Sequence, residues 1–385
     1  MVLTEHNPES KLMIIAGEAS GDLIGASLIK EMKKLSSEIK IFGIGGEKMQ
    51  MQGMNLSYHI KDMAFLGFTE VVKHLPFIKK VQKNLIEIVK AEKIKTVVLI
   101  DYPGFNLSIA KKFKEMGMKV VYYISPQLWA WGKRRMKKVK KLIDKMLVVF
   151  PFEENLYKSN EVNVEFVGHP LIERVSEHKF LSRDELYNKF NLKKEKEILL
   201  LLPGSRKHEI NDLFPSMMKA AKRIAEKFNM EGVVACSSNI DKKLFEMFDD
   251  TVQFKIIEDH TYDLMKYAKF GIIKSGTSTL EAGYFALPMV IVYKTSFITY
   301  LIGKNLVRLD NIGMANIILE EKVVPELIQD DVNENKIYRT SFEILNNEEK
   351  YSLIKSKLGK IKARLGTKGA SMRAAKSILA VMNEA

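Results

Sequence analysis

The chain has 385 residues, with 61 Lys plus Arg against 47 Asp plus Glu, a formal charge of +14 at pH 7. Hydrophobic residues make up 46% of it, enough apolar mass for two domains. The single cysteine, Cys236, excludes an internal disulfide framework and a cysteine-based zinc site. The first ten residues are polar and no apolar run reaches the ~18 residues of a spanning helix, so a cytoplasmic chain without transmembrane segments is expected. The positive excess predicts attraction to a polyanion: nucleic acid, an anionic membrane surface or a phosphorylated substrate.

Strands and helices alternate along the sequence. Apolar runs at 11–16, 39–42, 96–101, 119–124, 145–150 and 164–167 read as strands buried on both faces. Helices are predicted at 21–34, 105–116 and 134–142. A charged stretch at 176–196, with one short helix, reads as a linker. The alternation then restarts with strands at 198–202, 232–235, 251–255, 270–274 and 289–292 and a helix ending near 228. From 335 onward only helices are suggested. The last, about 370–382, is expected to pack back on the first domain or on another subunit. The predicted fold is therefore α/β, with two Rossmann-like domains facing a cleft and a helical tail. The expected division is 1–172 plus about 355–385, and 173–354.

Several strand ends carry chemistry. The first runs into Gly17-Glu18-Ala19-Ser20-Gly21-Asp22, whose two carboxylates would repel a diphosphate. The loop suits sugar hydroxyls better, although Ser20 or Asp22 could equally serve as an N-cap. Gly43-Ile44-Gly45-Gly46 invites a dinucleotide reading, but it follows the second strand and Lys48 breaks the G-x-G-x-x-G spacing. Asp101 ends the third apolar run and is followed by Tyr102-Pro103-Gly104-Phe105-Asn106. A carboxylate there can act as general base toward a hydroxyl, or merely cap the next helix.

Both tryptophans lie in Ser125-Pro126-Gln127-Leu128-Trp129-Ala130-Trp131-Gly132-Lys133-Arg134-Arg135, which continues into a lysine-rich helix. Such a segment suits a phosphate, nucleic acid or anionic lipid; the bland alternative is a solvated basic face. Phe65, Leu66, Phe68, Val71, Val72, Leu75 and Phe77 form an interrupted apolar stretch with lysines at its end. It fits a membrane interface or acyl chains, or an ordinary helix with one buried face. His169 falls at the domain junction, as a hinge residue or a ligand contact. The seven histidines show no metal-ligand spacing.

In the second half, Pro203-Gly204-Ser205-Arg206 follows a strand and opens a helix. Ser275-Gly276-Thr277-Ser278-Thr279-Leu280-Glu281 does the same. Two such loops can hold one diphosphate through backbone N–H groups, with Arg206 adding a planar cation and Glu281 accepting from ribose hydroxyls. Neither has the P-loop spacing, so the anion reads as a leaving group rather than a nucleoside triphosphate hydrolysed at its γ-phosphate.

Taken in order, GEASGD at 17–22, DYPGFN at 101–106, SPQLWAWG at 125–132, FVGHPL at 166–171, PGSR at 203–206, SGTSTLE at 275–281 and VPELIQ at 324–329 closely resemble the lipid-A-disaccharide synthase family. The resemblance implies an inverting glycosyltransferase of the GT-B arrangement, a peripheral enzyme on the inner face of the bacterial inner membrane. It implies UDP-2,3-diacylglucosamine as donor, 2,3-diacylglucosamine 1-phosphate (lipid X) as acceptor, and a β-1,6-linked disaccharide 1-phosphate and UDP as products.

It makes Asp101 the base and Arg206 a catalytic cation, and assigns Gly204, Ser205, Arg206, Ser275, Gly276, Thr277, Glu281 and Asn316 to the donor. Glu18, Ser20, Asp22, Asn106, Gln127, Trp129 and His169 fall to the acceptor. The apolar stretch, with Lys133, Arg134 and Arg135, falls to membrane and acyl chains. No metal or other cofactor and no nucleic acid is implied, and a homodimer exchanging C-terminal helices is. One departure stands out: Met314-Ala315-Asn316 replaces the family's Leu-Pro-Asn, so proline no longer fixes the backbone before Asn316. The rival readings are a UDP-GlcNAc 2-epimerase or other GT-B enzyme, and a basic RNA- or membrane-binding protein.

Overall fold

A computed structural model describes residues 10–63, 74–126, 133–237, 240–248, 254–295 and 311–384, without the side chains of 133–135. The chain folds as two units, Met1–Glu173 with Leu365–Ala385, and Arg174–Arg364.

Among its described residues, unit 1 holds a seven-stranded sheet: β1 (Lys11–Ala16), β2 (Lys40–Gly45), β3 (Asn55–His59), β4 (Thr96–Ile100), β5 (Lys119–Tyr123), β6 (Lys145–Val148) and β7 (Val164–Phe166). All neighbours are parallel, in the order β3-β2-β1-β4-β5-β6-β7. Every residue of β4 is buried, as the unbroken Thr-Val-Val-Leu-Ile run requires of a central strand covered on both faces. Covering helices include α1 (Ala19–Leu35), α2 (Glu47–Met51), α3 (Leu75–Glu92), α4 (Pro103–Glu115) and α5 (Lys133–Leu142). In α5, Met136, Val139 and Leu142 face the core while Lys137, Lys138, Lys140 and Lys141 are exposed, so the run is amphipathic rather than uniformly basic.

Unit 2 repeats the plan with β8 (Glu197–Leu202), β9 (Met230–Cys236), β10 (Lys255–Glu258), β11 (Ala268–Lys274), β12 (Met289–Tyr293) and β13 (Glu326–Ile328). The order is β10-β9-β8-β11-β12-β13, again all parallel. Its site is framed by α6 (Lys207–Lys227), α7 (Thr277–Tyr284) and α8 (Met314–Leu319). β3 and β13 were not anticipated: both are short edge strands, and neither carries a continuous apolar run. The strand expected at 251–255 lies at Lys255–Glu258; residues 251–253 fall outside the described part.

The C-terminal helix, Ala370–Asn383, returns to unit 1 and lies on α1 and β5. Arg373 ties it down, donating from Nε to the Val167 carbonyl at 2.8 Å, from Nη1 to Lys368 at 2.9 Å and from Nη2 to Thr367 at 2.8 Å. Glu173 accepts from the Ser371 backbone N–H at 3.0 Å and from its hydroxyl at 2.6 Å, bonding the helix start to the end of the first chain segment. Among the described residues no helix is long and apolar enough to cross a membrane.

Candidate active site

In each sheet the strand order reverses direction once, between β1 and β4 in unit 1 and between β8 and β11 in unit 2. Open α/β sheets bind ligands outside the carboxyl ends of the strands at such a point. The four loops singled out in the sequence leave these four strands. Ala16 pairs with Ile100, and Leu202 with Ile273, so the loops lie side by side in two pairs.

In unit 1, Asp101 and Tyr102 are consecutive left-handed residues, with φ of 45° and 48°. Such strain persists only where the surroundings fix it. Here the Asp101 carbonyl accepts from Asn106 Nδ2 and from the Tyr122 hydroxyl, each at 2.6 Å, and the Asp101 N–H donates to Tyr123 at 3.1 Å. The Tyr102 hydroxyl reaches the Met63 carbonyl at 3.1 Å. The Tyr102 ring fills the space beside Gly17: a Cβ there would stand 2.3 Å from it, so only glycine fits. Asp101 is half-buried, and desolvation pushes its carboxyl up to about 6, with the nearby Glu18 charge adding and the Tyr102 N–H opposing. A carboxylate so shifted is ionised at neutral pH yet more basic than an ordinary aspartate.

Three residues assigned to the acceptor also brace the protein. Asp22 is buried, and its carboxylate accepts from the N–H groups of Gly46 (2.7 Å), Lys48 (3.2 Å) and Met49 (3.0 Å). It therefore caps α2 rather than α1, and this bond is the use of the Gly43-Ile44-Gly45-Gly46 turn. Asn106 is wholly buried, and its Nδ2 donates to the carbonyls of Ile100 and Asp101, while its Oδ1 is buried without a hydrogen bond among the described residues. His169 is buried against Phe150, with ring centroids 5.2 Å apart. Its Nδ1 accepts from Leu171 N–H at 3.0 Å and its own N–H donates to Leu365 at 2.9 Å.

Glu18 and Ser20 remain exposed at the start of α1. Leu75 is exposed, whereas Phe77 packs on the core and meets the Tyr58 ring edge-on. Phe65, Leu66, Phe68, Val71, Val72, Gln127 and Trp129, and the side chains of Lys133, Arg134 and Arg135, lie outside the described residues.

In unit 2, Gly204 has φ +126° and a Cβ on it would meet the Glu209 carboxylate at 2.5 Å. Ser205 N–H donates to that carboxylate at 3.2 Å, and Arg206, at the N-cap of α6, stands 3.7 Å from it. In the second loop the Ser275 hydroxyl donates to the Ile312 carbonyl at 3.0 Å, and Thr277 is exposed at the first turn of α7. Glu281 accepts from the Tyr262 hydroxyl at 3.1 Å and pairs with Arg174 at 3.3 Å. Burial pushes its carboxyl up, against the pull of Arg174 and Tyr262.

Asn316, expected at the donor, has its amide bonded within the protein. Its Nδ2 donates to the Val324 carbonyl and to Glu326, both at 2.8 Å, and its Oδ1 accepts from Val323 and Val324 N–H, both at 2.9 Å. An amide has two donors and two acceptor sites, and all four are engaged here. Glu326 also accepts from Ile312 N–H at 2.8 Å and Gly313 N–H at 2.9 Å, which holds the backbone just before α8. Sequence reasoning missed Glu209, Lys274, Tyr262, Arg174 and Glu326. Only Glu326 lies in a recognised motif; Lys274 and Glu209 flank the two loops, and Arg174 and Tyr262 reach Glu281 from elsewhere in the fold. Among the described residues no group of three or more His, Cys, Asp or Glu side chains is arranged to hold a metal.

Solved structures share this architecture. The S. aureus MnaA–UDP co-structure matches with a TM-score of 0.69 over 97% of each chain at 15% identity. A UDP-GlcNAc 2-epimerase from Neisseria meningitidis matches with 0.66 over 96% of this chain and 100% of that one at 12%. The calicheamicin glycosyltransferase CalG4 matches with 0.62 over 97% and 98% at 11%. These likenesses define the class, two Rossmann-like units of the GT-B kind, and at such identity they speak for the fold alone.

Sequence is more specific. The profile of the family described as Lipid-A-disaccharide synthetase matches residues 12–381. Lipid-A-disaccharide synthase of Geobacter sulfurreducens is 38% identical over 98% of this chain and 99% of its own length. That of Syntrophus aciditrophicus is 39% identical over 97% and 99%. The chain belongs to the lipid-A-disaccharide synthase family, and is thus a hexosyltransferase rather than an epimerase or an RNA-binding protein.

Proposed function

We propose that the chain joins UDP-2,3-diacylglucosamine to 2,3-diacylglucosamine 1-phosphate, forming the β-1,6-linked disaccharide 1-phosphate and releasing UDP. Unit 2 takes the donor and unit 1 the acceptor. The observation that carries this is the split of charge between the two reversal points: Glu18 and Asp101 in one unit, Arg206 and the loop N–H groups of 204–206 and 275–277 in the other.

Asp101 accepts the proton of the acceptor 6-hydroxyl as that oxygen attacks the anomeric carbon from the face opposite UDP. The glycosidic C–O bond forms, the bond to the β-phosphate oxygen breaks, and the proton on Asp101 passes to water afterwards. The elevated basicity of Asp101 suits this step. Negative charge growing on the departing diphosphate is met by Arg206 and the loop N–H groups. Glu281, oriented by Tyr262 and Arg174, accepts from the ribose hydroxyls.

The exposed lysine face of α5 and the exposed Leu75 support a peripheral seat on the anionic inner face of the inner membrane. A homodimer would form if the surface on α1 and β5 took the C-terminal helix of a second copy.

The test is a mixed-micelle assay with UDP-2,3-diacylglucosamine and radiolabelled lipid X. Disaccharide 1-phosphate should appear with wild type and vanish with Asp101→Asn. UDP release from another donor, with no product from this pair, would keep the fold and overturn the substrates.

A further inference from the structure

The diphosphate loops of unit 2 hold a cation that no motif names. Lys274 ends β11, one residue before the Ser275-Gly276-Thr277 turn. Its ammonium stands 2.8 Å from Glu209 Oε1 and 3.7 Å from where a side chain on Gly276 would begin. Glu209 comes from the first turn of α6, behind the other loop, and its second oxygen takes the Ser205 N–H. Arg206 lies beside the same carboxylate. One carboxylate thus occupies the ground where a phosphate oxygen would meet Ser205 N–H, Arg206 and Lys274 together. Both partners are largely buried, with 9% of the Glu209 side chain and 21% of the Lys274 side chain exposed. Solvent therefore screens the pair less than an ordinary surface ion pair.

We propose that Lys274 binds the diphosphate of the sugar nucleotide and that Glu209 is its resident counter-ion, holding the cation in place when the loops are empty and competing with the diphosphate for it. The proposal rests on the UDP-donor reading above. The chemistry is consistent. Lys274 and Arg206 carry two positive charges and Glu209 one negative, so the grip keeps a single net charge. A diphosphate outbids a carboxylate for the ammonium, while the carboxylate left behind weakens the hold on free UDP and lets the product leave.

Inhibition constants for UDP and for uridine, with UDP titrated by calorimetry, test this on the full chain. Lys274→Met should weaken UDP about 10- to 100-fold, the worth of a charge-assisted bond. Uridine should be unchanged, and Lys274→Arg should restore most of the loss. Glu209→Gln should bind UDP several-fold more tightly than wild type while melting lower without ligand, the gap closing at saturating UDP. Wild-type affinity for UDP in Lys274→Met, or weaker UDP binding in Glu209→Gln, would overturn the proposal and leave the donor reading standing. Failure of the wild type itself to bind UDP would overturn both.

Discussion

In unit 1 the loops after β1 and β4 present Glu18 and Asp101; in unit 2 the loop after β8 and the end of β11 present Arg206 and Lys274. The strand orders around them are the same, and so is the parallel pairing that brings each pair of loops together. The sheet therefore decides only where side chains can gather, and the residues at those strand ends decide the charge. Unit 1 crowds two carboxylates and raises the basicity of one. Unit 2 gathers cations and backbone donors around a single carboxylate. The comparison breaks if removing charge from one unit has the same consequence as removing it from the other.

The largest effect is expected from Asp101→Asn. Asparagine tolerates the left-handed backbone, so the geometry should survive. Turnover should fall by about 10²–10⁴, the usual worth of a general base, measured in mixed micelles with both lipids saturating. The same variant should melt higher at pH 7 to 8. The folded-state value of about 6 lies above the ordinary 3.8, so the fold favours the protonated acid. That contribution is full below about pH 4 and is lost as pH rises through about 6. At neutral pH the charged carboxylate costs at most about 3 kcal/mol, which asparagine does not incur. Lower activity together with lower stability would mean that Asp101 is a structural post.

Arg206→Ala should cost about 10²–10³ in turnover, as for a donor facing a developing anion, and should leave the melting temperature within a degree or two. Arg206 is partly exposed, and the Glu209 carboxylate keeps Lys274 as its partner.

The acid limb of the pH profile should be milder, a tenfold fall in kcat/KM per unit below about pH 6. Glu18→Gln should move that limb to lower pH, by less than burial alone holds it up, since desolvation is the larger cause. An unmoved limb would separate Glu18 from the base.

How much of this could be read in advance depends on distance along the chain. The strands β1, β4, β5 and β8 are almost wholly apolar and β11 has an apolar centre, and the loops that leave them carry Asp101, Arg206 and Glu281 in plain view. The short edge strands β3 and β13 have no such pattern. Partners were harder still. Nothing local says that Asp22 will cap a helix starting 25 residues on, that Tyr262 will orient Glu281, or that Lys274 will meet Glu209. Polar residues in a motif read alike whether they touch substrate or satisfy buried backbone, and Asn106 and Asn316 both bond backbone carbonyls.

Glu326→Gln probes such backbone bonding in unit 2. It keeps the shape but weakens three bonds, from Ile312 N–H, Gly313 N–H and Asn316. Bonds to a charged group contribute about 1.5–3 kcal/mol each, and part of that remains with a neutral amide, so a loss of about 2 kcal/mol in unfolding free energy is expected by urea titration. Unchanged stability would leave the segment before α8 held by something other than Glu326.

The smallest effect separates a brace from a ligand contact in unit 1. Asn106→Ala removes one of two hydroxyl or amide donors on the Asp101 carbonyl and leaves the other, Tyr122, in place at 2.6 Å. The strained turn should persist but loosen, because a left-handed aspartate is no longer doubly held. Turnover should fall by about tenfold through misplacement of the base, with KM for the lipid acceptor unchanged. A residue that touched the acceptor would act the other way, raising KM first. Since the side chain is buried and its amide already donates to two carbonyls, the loss should appear in kcat, and a rise in KM alone would return Asn106 to the acceptor site.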